Sequence, residues 1–426
     1  MLSLIAAVAI GTCDLGKIFA EKQAWEESAV DFTVDNAKYG FEFASQKRDI
    51  VNCLRRGTCT WHGIDVWEAR IYYGPEGARR VEMSLYNRGD DKTGEPLGDA
   101  DLQKFLASIA SKVEPRGKIG NPACQKLPDE GYSYTKKWDK VDPTVELTWG
   151  VNNPKKKERV AQFVRVTLCP KDDKQRLKRA AKPMSTGALK AKFKANVTKN
   201  NEGDVWIQNV PMVDQGQKGY CAAAVGERVM RYFGHEIDEH EIAQIAGTEA
   251  KGGTSVDKMV DTVKLMASKK HLGYEDVVRM SGTVGDIEKE VAMYNKAAKA
   301  EKAREIDMGT FTKGCMIDVG GIRAAMKPKI LKKMRVKDSR YKKFLSTVKT
   351  QIDQGVPILW GVTLGMFPEP GIPQSAGGHM RLIIGYNQKT SEILFTDTWG
   401  AGHELKRMPE DWAFAITHDA FFLRPL

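Results

Sequence analysis

The chain has 426 residues, 42% of them hydrophobic, which gives room for two or three packed cores and excludes a chain disordered throughout. Its formal charge is +11, but residues 171–200 hold ten Lys/Arg against two Asp and so supply +8 of it. The rest is nearly neutral, which argues for one basic segment and against a nucleic-acid-binding surface.

Residues 2–10 form an apolar run that ends in small residues, with the first charges at Asp14 and Lys17. A membrane-spanning helix needs about 20 apolar residues, so residues 1–20 read as a signal peptide cleaved near Gly11 or Ala20. No other segment has the composition of a membrane span. Export would place the protein outside the cytoplasm, secreted or in the periplasm or cell envelope. Of its seven cysteines, Cys53 with Cys59 and Cys124 with Cys169 are then the expected pairs, although spacing alone fixes no connectivity. Cys53 and Cys59 lack a second ligand pair nearby and do not form a zinc pattern.

Residues 21–170 read as a smaller α+β domain. β-branched and aromatic residues alternate in part over 32–43, 60–73, 80–86, 132–149 and 160–168, which predicts strands. Residues 101–113 predict a helix, with Leu102, Phe105, Leu106, Ile109 and Val113 on one face. No catalytic constellation stands out, and His62 beside Trp61 reads as a surface pair. Residues 171–203 follow as a solvated basic linker. Arg176-Leu177-Lys178-Arg179 within it is a run that trypsin-like enzymes cut, so the first domain could be a removable intramolecular inhibitor, a targeting module or a plain companion.

Residues 204–426 make the second domain. After an extended stretch at 205–213, the turn Asp214-Gln215-Gly216-Gln217-Lys218-Gly219 leads to Tyr220 and Cys221. Val225, Val229, Tyr232 and Phe233 then fall on one stripe of a helix. Cys221 thus opens a helix, where unpaired backbone N–H groups and the helix dipole favour a thiolate. Further helices are predicted at 238–246, 256–267, 284–303 and 337–354, with a strand and turn at 315–322 and a strand at 356–364. A barrel-like sheet closes the chain, with strands at 379–386, 392–396, 404–408, 413–416 and 421–423. His379 opens one of these strands and Asp397 ends its hairpin partner, so antiparallel pairing brings imidazole and carboxylate together. His235 and His240 stand five apart, not at the i, i+4 spacing of zinc-protease histidines, and the sequence implies neither metal nor cofactor.

Gln215 six residues before Cys221, Gly377-Gly378-His379-Met380 and Asp397-Thr398-Trp399-Gly400 together resemble the papain-like cysteine peptidases. The likeness is strongest to their bacterial C39-like, double-glycine branch, which has Asp where papain has Asn. The resemblance implies an α+β fold with a helical half carrying the Cys and an antiparallel sheet carrying His and Asp. It also implies roles: Cys221 as nucleophile, His379 as base, Asp397 orienting the imidazole, Gln215 in the oxyanion hole, and Trp399 shielding the His379–Asp397 bond. Two positions depart from papain: Lys218 and Ala222 stand where papain has a Cys and an aromatic residue, so the papain disulfide from that Cys is absent. His379 lies 158 residues after Cys221, against roughly 130–150 in papain, which places an insertion at 283–335. His403 and His418 do not follow a glycine pair at the head of an apolar strand and are weaker candidate bases. The implied activity is peptide-bond hydrolysis through a thioester acyl-enzyme. Transfer to an amine, as in transglutaminase-like or amidase chemistry, would use the same groups, and a silent scaffold would leave only binding.

Overall fold

The computed structural model describes the chain except residues 1–11, 92–94, 115–120, 127–130, 153–158, 172–184, 217–218, 236, 238, 247–255, 281–282, 315 and 373–376. Among the described residues, apolar side chains gather into two cores, one N-terminal and one C-terminal.

The N-terminal core is built on an eight-stranded sheet in the order Phe41–Phe43, Ile50–Cys53, Glu68–Gly74, Gly77–Asn87, Ala161–Cys169, Thr144–Val151, Tyr132–Trp138 and Ala123–Lys126. Each neighbouring pair is antiparallel. Helix Asp99–Val113 buries Leu102, Leu106, Ile109 and Val113 in this core, on the predicted face.

Three expectations fail here. Ala29–Asn36 is a helix and not part of a strand; Ser28 caps it by accepting from the Asp31 N–H, and Phe32 is its one buried residue, so no apolar stripe announced it. Cys13–Phe19 does not fit a leader cleaved near Ala20. Cys13 pairs with Cys59 across a parallel bridge, and Leu15 and Phe19 are fully buried, so the N-terminal core includes residues ahead of residue 21. Cleavage near Gly11 concerns residues outside the described ones. Neither expected disulfide is formed. Cys124 and Cys169 lie on strands three places apart in the sheet, and three steps of about 4.8 Å exceed the roughly 7 Å that a disulfide bridges between Cα atoms. Cys53 and Cys59 lie closer, with sulfurs 3.5 Å apart, but are free.

The basic segment divides. Residues 172–184, including Arg176–Arg179, lie outside the described residues. The remainder is not linker: Ser185 caps helix Thr186–Ala195, whose Phe193 packs on Tyr232 and Phe233 in the C-terminal core, and Val197–Lys199 pairs with Asp204–Ile207. High Lys content masked one inward-facing aromatic.

The second sheet runs Val197–Lys199, Asp204–Ile207, Gly377–Asn387, Ile358–Leu364, Thr417–Pro425 and Leu272–Arg279. Glu392–Thr396 pairs along the other edge of Gly377–Asn387 and carries Lys406–Pro409. Residues 413–416, expected as strand, lie in helix Glu410–Ile416, where Glu410 and Asp411 occupy the first turn favoured by acidic side chains. Residues 283–335 hold helices Val284–Ala300, Val319–Ala325 and Pro328–Arg335, tied by buried Glu290 between Arg323 and Arg335. Of the strand and turn expected at 315–322, Met316–Ile317 is strand and the chain from Val319 is helix.

Helix Cys221–Tyr232 is buried all round, not on one stripe: every residue from Ala222 to Met230 is buried. Ala222, Ala223, Ala224 and Gly226 keep its surface low, and a Cβ on Gly226 would stand 3.0 Å from Met259 Cε. That small surface lets the helix lie against the second sheet while Tyr220 and Glu227 meet Asn87 and Arg70 of the first. No helix among the described residues is long and apolar enough to cross a membrane.

Candidate active site

Cys221 opens its helix with Tyr220 at the N-cap, and no side chain caps the free N–H groups there. The chain before it is fixed from several sides. The Gln215 N–H donates to the Thr398 carbonyl at 2.9 Å, and Asp214 accepts from the Gly216 N–H at 2.9 Å. Gly216 has φ +63°, a left-handed turn suited to glycine. The Thr398 hydroxyl donates to Gln215 Oε1 at 2.5 Å. The carbamoyl oxygen is thereby engaged, which turns the Gln215 NH2 the other way.

His379 is buried near the head of strand Gly377–Asn387, and Asp397 is fully buried just past strand Glu392–Thr396. The hairpin register sets Leu382 opposite Thr396, and His379 Nε2 lies 2.6 Å from Asp397 Oδ1. With Nε2 engaged, Nδ1 is the ring nitrogen left on the side of Cys221, whose thiol His379 pulls below its ordinary value. The Trp399 ring stacks on the imidazole at 4.4 Å between centroids and 2° between planes.

Asp397 is held by more than the imidazole. Its Oδ1 also accepts from the Thr398 N–H at 2.8 Å, and its Oδ2 pairs with Arg381 Nε at 2.8 Å. Arg381 in turn reaches Glu369 at 2.7 Å. Arg228, on the Cys221 helix, donates to the carbonyls of Pro211 and Asp397, each at 2.6 Å, and to the Thr396 hydroxyl at 2.7 Å. One buried guanidinium therefore ties the cysteine helix to the aspartate strand. Sequence reading missed Arg228, Arg381 and Thr398. An arginine beside the apolar Val229 and Met230 was the available signal for Arg228.

The electrostatics follow from these contacts. Burial alone would push the Cys221 thiol up, but the hydrogen bond and charge of His379, aided by the Met380 backbone amide, bring it below its ordinary value. Burial would lower His379; the charge and hydrogen bond of Asp397, then Cys221, outweigh it and raise the imidazole to about 9. Burial opposes ionisation of Asp397, yet His379, Arg381 and the Thr398 amide hold its carboxyl below the usual range. The arrangement therefore favours a thiolate beside an imidazolium.

The other histidines stand elsewhere. His418 is buried, bonded to the Thr363 hydroxyl, and its imidazole is pushed down first by burial and then by Arg323 and Arg335. His403 meets the edge of Trp399, and its carbonyl accepts from the Asp397 N–H. His240 is buried against Asn87, and burial lowers His235. Among the described residues no group of three or more His, Cys, Asp or Glu could hold a metal ion.

The model of the Peptidase_C39 like family matches residues 278–418, a span that contains His379 and Asp397 but not Gln215 or Cys221. Two solved structures are similar at 12% identity. The peptidase domain of Streptococcus ComA, a bi-functional ABC transporter, covers 51% of this chain and all of its own at a TM-score of 0.26. Xylellain, a cysteine protease from Xylella fastidiosa, covers 55% of this chain and 89% of its own at 0.27. Both likenesses are too loose to argue from. No curated protein matches. Residues 278–418, about a third of the chain, are thus similar to the Peptidase_C39 like family.

Proposed function

We propose that the chain hydrolyses peptide bonds through a Cys221–His379–Asp397 triad, with Gln215 at the oxyanion. The observation that carries this reading is the buried His379–Asp397 pair at 2.6 Å, with Cys221 at a helix start and its thiol lowered by His379. The Cys221 thiolate attacks the carbonyl carbon, and the oxyanion is met by the Cys221 N–H and the Gln215 NH2. His379 gives its proton to the departing amine as the C–N bond breaks, leaving a thioester on Cys221. Water then attacks the thioester, His379 accepts its proton, and the acid leaves as the thiol reforms. Asp397 keeps the ring in one orientation throughout.

The test is hydrolysis of an unstructured protein or peptide mixture by wild type and Cys221→Ala, read by mass spectrometry of new termini. New termini in wild type alone support the reading; identical spectra overturn it. Export to the cell envelope or the medium is proposed on residues 2–10, and cell fractionation with N-terminal sequencing tests it.

A further inference from the structure

We propose that the N-terminal sheet is a fixed positioning element of the active site, in which Asn87 holds Tyr220 and, through it, the start of the Cys221 helix. The proposal rests on the reading of Cys221 as nucleophile. It differs from that of a removable inhibitor, for which separation of the two units would free the enzyme.

Asn87 ends strand Gly77–Asn87 and is 3% exposed. Its carboxamide is bonded at four points. Oδ1 accepts from the Gly89 N–H at 3.0 Å and the Tyr220 hydroxyl at 2.7 Å, while Nδ2 donates to Asp90 at 3.3 Å and meets His240 Nδ1 at 2.6 Å. The Gly89 N–H can only donate, which fixes the orientation of the amide and makes Nδ1 of His240 an acceptor. Tyr220 is 1% exposed and is the residue before Cys221. A Cβ on Gly89 would stand 1.9 Å from the Tyr220 hydroxyl oxygen, so glycine is what lets the ring seat there.

Further contacts reach the same segment. Arg70, paired with Glu68 at 2.6 Å, donates to the Asp214 carbonyl at 3.4 Å and meets Glu227 at 3.5 Å. Asp214 precedes Gln215, and Glu227 lies in the middle of the cysteine helix. Gln244, on the next helix, donates to the Val151 carbonyl of the first sheet at 3.1 Å. A cavity of about 910 Å3 is lined by Glu42, Arg56 and Trp67 from the N-terminal unit and by Asp214, Gly216 and Gly219 ahead of Cys221. The N-terminal residues thus wall a space beside the nucleophile loop while gripping the helix behind it.

Two variants act on one atom from opposite sides. Tyr220→Phe deletes the hydroxyl and leaves Asn87 Oδ1 bonded to Gly89, so no buried acceptor is orphaned. Gly89→Ala crowds the hydroxyl from the N-terminal side. Arg165→Ala, which loses a 4.0 Å contact with Glu241 elsewhere on the junction, serves as control. For each, kcat and KM on a cleaved peptide, the pH dependence of Cys221 alkylation by iodoacetamide, and the unfolding temperature are measured. The expected result is a fall in kcat of about fivefold to tenfold, the size of one hydrogen bond, in both Tyr220→Phe and Gly89→Ala. The expected shift of the alkylation profile is upward, with KM within about twofold and Arg165→Ala unchanged in rate. A rise in kcat on loosening the contact would mark an inhibitor, and wild-type rates in folded Tyr220→Phe would mark an inert neighbour; either overturns the proposal. Wild type that neither cleaves peptide nor alkylates at Cys221 overturns the nucleophile reading, and this proposal with it.

Discussion

The two halves of the molecule treat the same functional group in opposite ways. In the N-terminal core, Cys13, Cys53 and Cys59 gather among hydroxyls, carbonyls, an amide oxygen and one another, with no cationic side chain bonded to them among the described residues. Hydrogen bonding with Cys13, ahead of burial, pushes the Cys59 thiol up to about 12, and Cys53 is pushed up likewise by Cys59 and burial. In the C-terminal half, Cys221 is also sheltered but has an imidazole beside it and a helix start beneath it, and its thiol goes down. Shelter by itself makes a thiol inert; it is a cationic partner that makes the same sulfur a nucleophile.

That contrast is sharpest by substitution. Cys221→Ala should abolish peptide hydrolysis, a loss of more than about 10⁴-fold, while Cys53→Ala should leave kcat within about twofold and cost stability as a small core cavity does; steady-state kinetics and thermal unfolding on both variants decide it. Asp397→Asn comes next. Losing the carboxylate that charges the imidazole should lower kcat by roughly 10²–10⁴ and bring His379 back toward its ordinary value, visible as a lower alkaline limit in the pH–rate profile.

Arg228→Met should act on folding more than on chemistry. The guanidinium satisfies three buried acceptors, so its loss should cost about 2–4 kcal/mol in denaturant unfolding. Near-wild-type stability would show that the tie between cysteine helix and aspartate strand is dispensable.

Smaller still is the pH dependence of stability from the His379–Asp397 bond. The folded His379 is raised from 6.5 to about 9, so its contribution is complete below pH 6.5 and is lost as pH climbs through about 9. Asp397 is lowered from 3.8, so its contribution is present above pH 3.8 and is lost as pH falls through the depressed value. Unfolding midpoints of wild type should exceed those of His379→Ala most between those limits, and the gap should close at both ends; a gap independent of pH would contradict the ion-pair account.

The parts legible in the sequence were those with local causes. The turn glycines, the helix opened by Cys221 and the hairpin joining His379 to Asp397 follow from spacing and alternation over a few residues each. What stayed hidden depends on partners far along the chain. Phe193 sits among lysines, and its burial against Tyr232 and Phe233 is a tertiary fact. Leu15 and Phe19 look like the end of a leader until Cys13 is seen paired with Cys59. Asn87 and Tyr220 stand 133 residues apart, and nothing local links them. Residues 413–416 were misread because four apolar residues fit a strand as well as a buried helix; the acidic pair after Pro409 was the cue that separated them.

The most direct test of the central claim is the rate of alkylation at each cysteine of folded wild-type protein as a function of pH, resolved by peptide mass spectrometry. A Cys221 thiolate paired with an imidazolium should label rapidly below the ordinary thiol value of 9.0, with Cys53 and Cys59 unmodified at the same pH. Cys221 that labels only as pH rises past 9.0, in step with an ordinary thiol, would contradict it.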